Sequence, residues 1–320
     1  MTSIRIGTLA AALYMVSHAA LAQDFPSQPI TIVNPYSAGG PADVISRTIA
    51  NGMSERLGQP VVVENRPGAD TVIAATHVAQ ANPDGYTLLI AGSPTHIVAP
   101  ALHEVPFDGT ESFAPVSMIA LVPNVLVVGS GTGITSIEEL TARASEAPDT
   151  LSFASVGNGS LPHLSSVLLM QETGTQMVHI PYGGAAPAVV DLLAGNVDLG
   201  FLNATPLIPH IESGDLIALG VAADERAAQL PDVPTMAEMG LGDFQMSTWY
   251  GISAPAGTPE EVLSVLDEAI SATMEDEAIS TALSQAGAES FYKSRQDFAD
   301  YLAGDSERML KLLDASSMTN

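Results

Sequence analysis

Along the chain, short runs of β-branched and other apolar residues alternate with Ala-rich stretches in which apolar residues return every three or four positions. The runs fall at 30–33, 61–64, 87–91, 124–128, 151–154, 176–180, 198–202 and 217–221, and the amphipathic stretches at 43–57, 72–81, 137–146, 162–172 and 185–195. Short apolar runs bounded by turn residues predict strands, and the 3.6-residue period predicts helices. Strands that alternate with helices of this length build βαβ units, so the pattern predicts an α/β fold. The same cycle of strand, Gly/Ser-bearing loop and helix runs from about 28 to 125 and again from about 124 to 222. Two lobes follow, each a mainly parallel sheet flanked by helices, with a ligand cleft between them.

Past residue 222 the pattern changes. Pro231, Pro234, Gly240 and Gly242 punctuate the chain, a strand-like run covers 249–253, and Pro255-Ala256-Gly257-Thr258-Pro259 reads as a turn. Thr258 is expected to cap a helix that starts at Pro259 and carries Glu260 and Glu261 in its first turn, where acids suit the helix dipole. Val262, Val265, Leu266 and Ala269 form its apolar stripe. A last helix, from about 295 to 313, places Phe298, Leu302, Met309 and Leu312 at helical spacing. Both helices are expected to pack on the first lobe. The lobes so defined are 23–124 together with about 246–320, and about 125–245.

Residues 1–22 stand apart. Arg5, an apolar stretch from Ile6 to Val16 and Ala20-Leu21-Ala22 form a secretory signal, with cleavage expected after Ala22. The stretch is too short to span a bilayer, and no later window holds about 18 uninterrupted apolar residues. An exported protein without a membrane span is expected.

Composition narrows the function. Asp+Glu 36 against Lys+Arg 10 leaves a formal charge of −26. That excludes a nucleic-acid binder, because neutralising phosphates needs clustered cations. With 46% hydrophobic and 14% charged residues the chain is globular, not disordered. The absence of cysteine removes disulfides, thiolate metal sites and thiol catalysis. The seven histidines show neither H-E-x-x-H nor a close H-x-H spacing. No metal and no cofactor is expected, and nothing marks an oligomer interface, so a monomer is expected.

The segment Asn34-Pro35-Tyr36-Ser37-Ala38-Gly39-Gly40-Pro41-Ala42-Asp43 follows the first strand and opens the first long helix. Glycines let a ligand approach the backbone, and free amides at a helix N-terminus favour an anion. It lacks the lysine of a phosphate loop and the spacing of a dinucleotide fingerprint. A second loop of this kind, Ala91-Gly92-Ser93-Pro94-Thr95-His96, follows the third strand. A third, Ser155-Val156-Gly157-Asn158-Gly159-Ser160-Leu161-Pro162-His163, lies in the second cycle. In open α/β sheets ligands sit beyond the carboxyl ends of strands, so three such loops point to one cleft. Their hydroxyls and amides are neutral donors suited to a carboxylate. Gly129-Ser130-Gly131-Thr132-Gly133 reads instead as a loop into a helix capped by Thr135 or Ser136.

An enzyme is the competing class. Ser160 shares a loop with His163, and Ser93 with His96, and an exported serine hydrolase or lyase would use one of these couples, although three-residue spacing within a loop says nothing about triad geometry. No G-x-S-x-G elbow surrounds either serine.

The order of these segments carries a family resemblance. Pro35-Tyr36-Ser37-Ala38-Gly39-Gly40-Pro41-Ala42-Asp43, Val63-Glu64-Asn65-Arg66-Pro67-Gly68-Ala69 and Asn82-Pro83-Asp84-Gly85-Tyr86-Thr87-Leu88 resemble the substrate-binding proteins of tripartite tricarboxylate transporters, the Bug-type family. The likeness continues through Phe113-Ala114-Pro115-Val116, Ala154 to Ser160, His179-Ile180-Pro181-Tyr182-Gly183-Gly184, Leu230-Pro231-Asp232-Val233-Pro234-Thr235 and Ala254 to Pro259. The resemblance implies a periplasmic, non-catalytic binding protein of Venus-flytrap architecture. Its two lobes would close on a small organic anion and present it to membrane permease subunits. By matching position it implies ligand contacts from Tyr36, Ser37, Ala38, Gly39, Gly40 and Asp43, from Ser93, Thr95 and His96, and from Ser155, Gly157, Asn158, Gly159, Ser160 and His163. Tyr182 and Asn203 occupy family-like positions too, and Trp249 is placed near the hinge.

Two departures widen the expected ligand class. Asp70 stands where family members often continue a glycine run, and Leu202 stands where an acid often precedes the Asn. Mono-, di- and aromatic carboxylates are therefore all expected candidates. Arg66 is expected to pin its own loop. A third class of function, a ligand-sensing subunit for a membrane receptor, would use the same cleft.

Overall fold

The computed structural model describes residues 25–242 and 244–315; the expected signal segment and its cleavage position lie outside them. In the first cycle β1 (Ile30–Asn34) leads into α1 (Pro41–Leu57), followed by β2 (Val61–Asn65), α2 (Val72–Ala79), β3 (Thr87–Ala91), α3 (Ala99–Leu102) and β4 (Phe113–Val122). The second comprises β5 (Asn124–Gly129), α4 (Ile137–Glu146), β6 (Ser152–Ser155), α5 (Leu161–Thr173), β7 (Val178–Pro181), α6 (Ala185–Ala194), β8 (Leu199–Asn203), α7 (Ile208–Glu212) and β9 (Leu216–Val221). The chain returns through β10 (Thr248–Pro255), α8 (Glu260–Met274), α9 (Glu277–Gln285), β11 (Glu289–Lys293) and α10 (Arg295–Ala315).

Local chemistry sets the helix ends. Pro41 opens α1 behind Gly40, and Gly58 closes it with a left-handed φ of 64° and its amide on the Ser54 carbonyl. Ser136 caps α4 by accepting from the Glu139 amide, while the Glu139 carboxylate returns to the Thr135 amide. The start of α8 differs from expectation. Pro259, not Thr258, occupies the cap position, because the Thr258 hydroxyl turns back to the Pro255 carbonyl at 2.8 Å. Its buried stripe is Leu263, Leu266, Ala269, Ile270 and Thr273, rotated so that Val262 and Val265 lie only partly buried.

The α/β class and the two-lobe architecture are those expected, but each sheet is mixed. One sheet has the order β11-β4-β10-β3-β1-β2, the other β7-β6-β8-β5-β9. The trios β2-β1-β3 and β7-β6-β8 are parallel. β10 is antiparallel to β3 and β4, and β5 is antiparallel to β8 and β9. β5 and β10 each enter their sheet from the other lobe rather than through a helical crossover, and so run against the βαβ strands.

The lobes share a core. One continuous apolar cluster joins Met118, Trp249 and Phe298 to Leu126, Phe153 and Phe201. α8 packs on α1 of the first lobe, as expected, and is joined there by α9, whereas α10 packs both on β4 and on α5 of the other lobe.

Candidate ligand-binding site

The two parallel trios place β1 and β6 at equivalent central positions, each followed by a Gly-bearing loop and a long helix. In the first loop Gly39 takes a φ of 82°, open to glycine without strain. Its amide donates to Asp43 Oδ2 at 2.9 Å, while Asp43 Oδ1 accepts from Asn65 Nδ2 at 2.9 Å and from Arg47 at 3.0 Å. Asn65 also donates to the Tyr36 carbonyl. Asp43 therefore shapes the loop from beneath. Arg47, with the Gly39 amide and Asn65, outweighs burial and holds its carboxyl at about 2. Ser37, Ala38 and Gly39 are exposed, and the Ser37, Ala38 and Gly40 amides find no acceptor among the described residues. Tyr36 lies beside the next loop: its phenol oxygen is 3.8 Å from where a Cβ on Gly92 would stand.

The loop after β3 turns inward. Ser93 donates to Asp305 Oδ2 at 2.8 Å, and Thr95 is fully buried. His96 is interior as well. Its Nδ1 bonds the Gly109 carbonyl at 2.5 Å, its Nε2 faces Ser253 Oγ at 3.3 Å, and its ring lies between Phe113 and Trp249. Burial pushes its pKa down to about 4. These three side chains brace the loop from the core side. Trp249 joins them, donating from Nε1 to Asp305 Oδ2 at 2.7 Å.

In the second lobe, Gly157 and Gly159 take φ of 123° and 72°. Ser160 caps α5: its hydroxyl donates to the Gly157 carbonyl at 2.6 Å and accepts from the His163 amide. Ser155 Oγ accepts from the Gly157 amide at 3.1 Å and lies 2.6 Å from His179 Nε2. Asn158 is exposed, and the Val156 and Asn158 amides have no acceptor among the described residues. This loop meets the first lobe, since a Cβ on Gly159 would come within 2.8 Å of Leu102 Cδ1 and 3.5 Å of Val98 Cγ1. The first two loops thus adjoin, and the third lies against Val98 and Leu102, just past the second.

Neither serine–histidine couple of the enzyme reading forms, because Ser160 and His163 bond different atoms of the loop and Ser93 bonds Asp305. Tyr182 donates to Asp191 on α6 at 2.8 Å, and Asn203 Oδ1 faces Thr248 Oγ1 at 3.5 Å. Arg66 pairs with Glu64 at 2.6 Å. Asp70 is exposed and 3.6 Å from His103. Leu202 is buried in the second-lobe core, so its lack of charge leaves the loops untouched. No group of three or more acidic or imidazole side chains suited to a metal occurs among the described residues. A cavity of about 490 Å³ lies between Leu168, Gln245 and α10, and Asp305, the partner of Ser93, is part of its wall.

Sequence reasoning passed over Asp305, Asn65 and His179 as shapers of the loops. Asp305 had a signal: it falls on the same helical stripe as Phe298, Leu302, Met309 and Leu312.

A family model described as the tripartite tricarboxylate transporter family receptor matches residues 45–318. The chain belongs to this family. It is a solute-binding protein of the Bug, TctC-like type. The receptor is 35% identical to protein BugT of Bordetella pertussis over 90% of this chain and 89% of the relative. It is similar in structure to R. palustris Rpa4515 with adipate, with TM-score 0.79, 33% identity and coverage of 92% of this chain and 99% of that one. MatC of Rhodopseudomonas palustris with bound malate superposes at TM-score 0.75, with 32% identity and coverage of 90% and 100%. No helix among the described residues of the receptor is long and apolar enough to cross a membrane.

Proposed function

We propose that this receptor captures a small organic carboxylate between its lobes in the periplasm, without converting it, and delivers it to a tripartite tricarboxylate-type permease. The lobes are 23–124 with about 246–320, and about 125–245. The observation that carries the reading is the matched pair of amide-bearing loops after β1 and β6, one per lobe. Their unpartnered amides can bond a carboxylate only when both lobes approach it, so ligand contacts favour closure. Neutral donors suit the overall acidity, because contact dipoles act within a few ångströms while distant charge is screened over about 8 Å. The adipate and malate seen in two relatives support a carboxylate. Ligand contacts are assigned to the Ser37, Ala38, Gly40, Val156 and Asn158 amides with the Asn158 side chain. Ser93, Thr95 and His96 act from behind.

A thermal-shift panel of mono-, di- and aromatic carboxylates, with sugars and amines as controls, tests this. A ligand at about 100 times its Kd stabilises by about 2.7 kcal/mol, which raises the midpoint by about 4 °C for a chain of this size. The expected result is such a shift from at least one carboxylate that is recovered unchanged. Turnover of the acid, or shifts confined to the controls, would overturn the proposal.

A further inference from the structure

Behind the second-lobe loop lies a cluster that the binding role leaves unused. The rings of His163 and His179 stack at 3.9 Å and 8°, with Phe153 as a third layer 4.9 Å from His179. His163 Nδ1 accepts the Gly159 amide at 3.2 Å. That nitrogen must carry the lone pair, so the ring proton sits on Nε2. His179 Nε2 bonds Ser155 Oγ at 2.6 Å, and the same oxygen accepts the Gly157 amide at 3.1 Å. The amides on either side of Asn158 are therefore both held from below, one directly and one through Ser155.

Both glycines lie in the left-handed region, where a loop has many competing shapes and needs anchors. With Gly157 and Gly159 tied down, the Val156 and Asn158 amides remain for a ligand. Burial and the neighbouring His179 push the His163 pKa down to about 4, which keeps the lone pair in place at neutral pH. We infer that His163, backed by His179, is the positioning residue that sets the anion-binding shape of the 156–160 loop. This rests on the binding role proposed above for that loop.

The test compares His163→Asn, whose amide oxygen can stand where Nδ1 accepts, with His163→Leu, which keeps bulk but has no acceptor. Binding of malate and adipate to the full exported chain is measured by calorimetry, and hydrogen exchange is followed at the Gly159 amide. The expected result is that His163→Asn stays within about threefold of wild-type affinity with Gly159 protected. His163→Leu should lose tenfold or more, with Gly159 exchanging faster. A bulk-packing role alone would leave the leucine variant the better binder. Wild-type affinity in His163→Leu, or equal losses in both variants, would overturn the inference while leaving the binding function intact. Failure of the wild type to bind either acid or any other carboxylate would overturn both.

Discussion

Replacing Asp305 by alanine is expected to destabilise the protein by about 3–5 kcal/mol, because it removes a buried acceptor and leaves several donors unpaired. Asp305 is 5% exposed. Its Oδ2 accepts from Ser93 and Trp249, and its Oδ1 from Arg308 at 2.5 Å. Truncation strands an indole N–H, a hydroxyl and a partly buried guanidinium at once. The unfolding midpoint should fall on the order of 10 °C. Trp249 is the single tryptophan of the chain, so its emission should shift to the red even before unfolding. Asp305→Asn keeps one acceptor oxygen and should recover part of the loss. Because Asp305 holds the loop after β3 to the strand that returns from the second lobe, carboxylate affinity should fall with stability. An unchanged midpoint and emission for Asp305→Ala would contradict this.

The second large effect is acid destabilisation through His96. Unfolded, this histidine takes a proton near 6.5; folded, burial pushes that down to about 4. Between those values the unfolded state binds more protons, so stability rises with pH there. The contribution is fully present above about 6.5 and is lost as pH falls, reaching about 2 kcal/mol by pH 5 from this group alone. His163 and His179 are shifted in the same direction and add to the slope. Urea unfolding at pH 7 and pH 5 measures it. His96→Gln should be less stable at pH 7, since it loses the ring between Phe113 and Trp249, but its stability should change less with pH by about that amount. An equal pH dependence in the two proteins would show that His96 titrates alike folded and unfolded.

How far the fold was legible depends on the element. β1, β2, β3 and the second-cycle strands announce themselves as short apolar runs between turn residues. α1, α4 and α5 show a stripe or a capping residue. β4 does not, because an interior strand between β11 and β10, buried on both faces and carrying Pro115, has no alternation to read. β11 is short and only partly buried at the sheet edge, and α9 buries Leu283 as its one fully enclosed side chain. Weak burial leaves a weak pattern.

The candidate site divides along the same line. Gly39, Gly157 and Gly159, and the helices they precede, follow from local rules: left-handed turns need glycine, and helix starts expose amides. What each polar side chain does could not follow from those rules. Ser93 and His96 sit in a loop that reads as ligand-facing, yet their partners, Asp305 and Gly109, lie far along the chain or around a turn. His163 reads as a lone loop histidine until the β6–β7 pairing of Phe153 with His179 brings a second ring beneath it.

By itself, then, the sequence determined the α/β class, the doubled cycle, the family and the positions of the amide-bearing loops, because all of these rest on periodicity and short-range backbone chemistry. The tertiary structure decided the mixed strand directions, the core shared through α10, and which side chains brace the loops from behind. Those depend on contacts between residues distant in sequence, whose pairing is settled by packing and by the partners that most buried polar groups need.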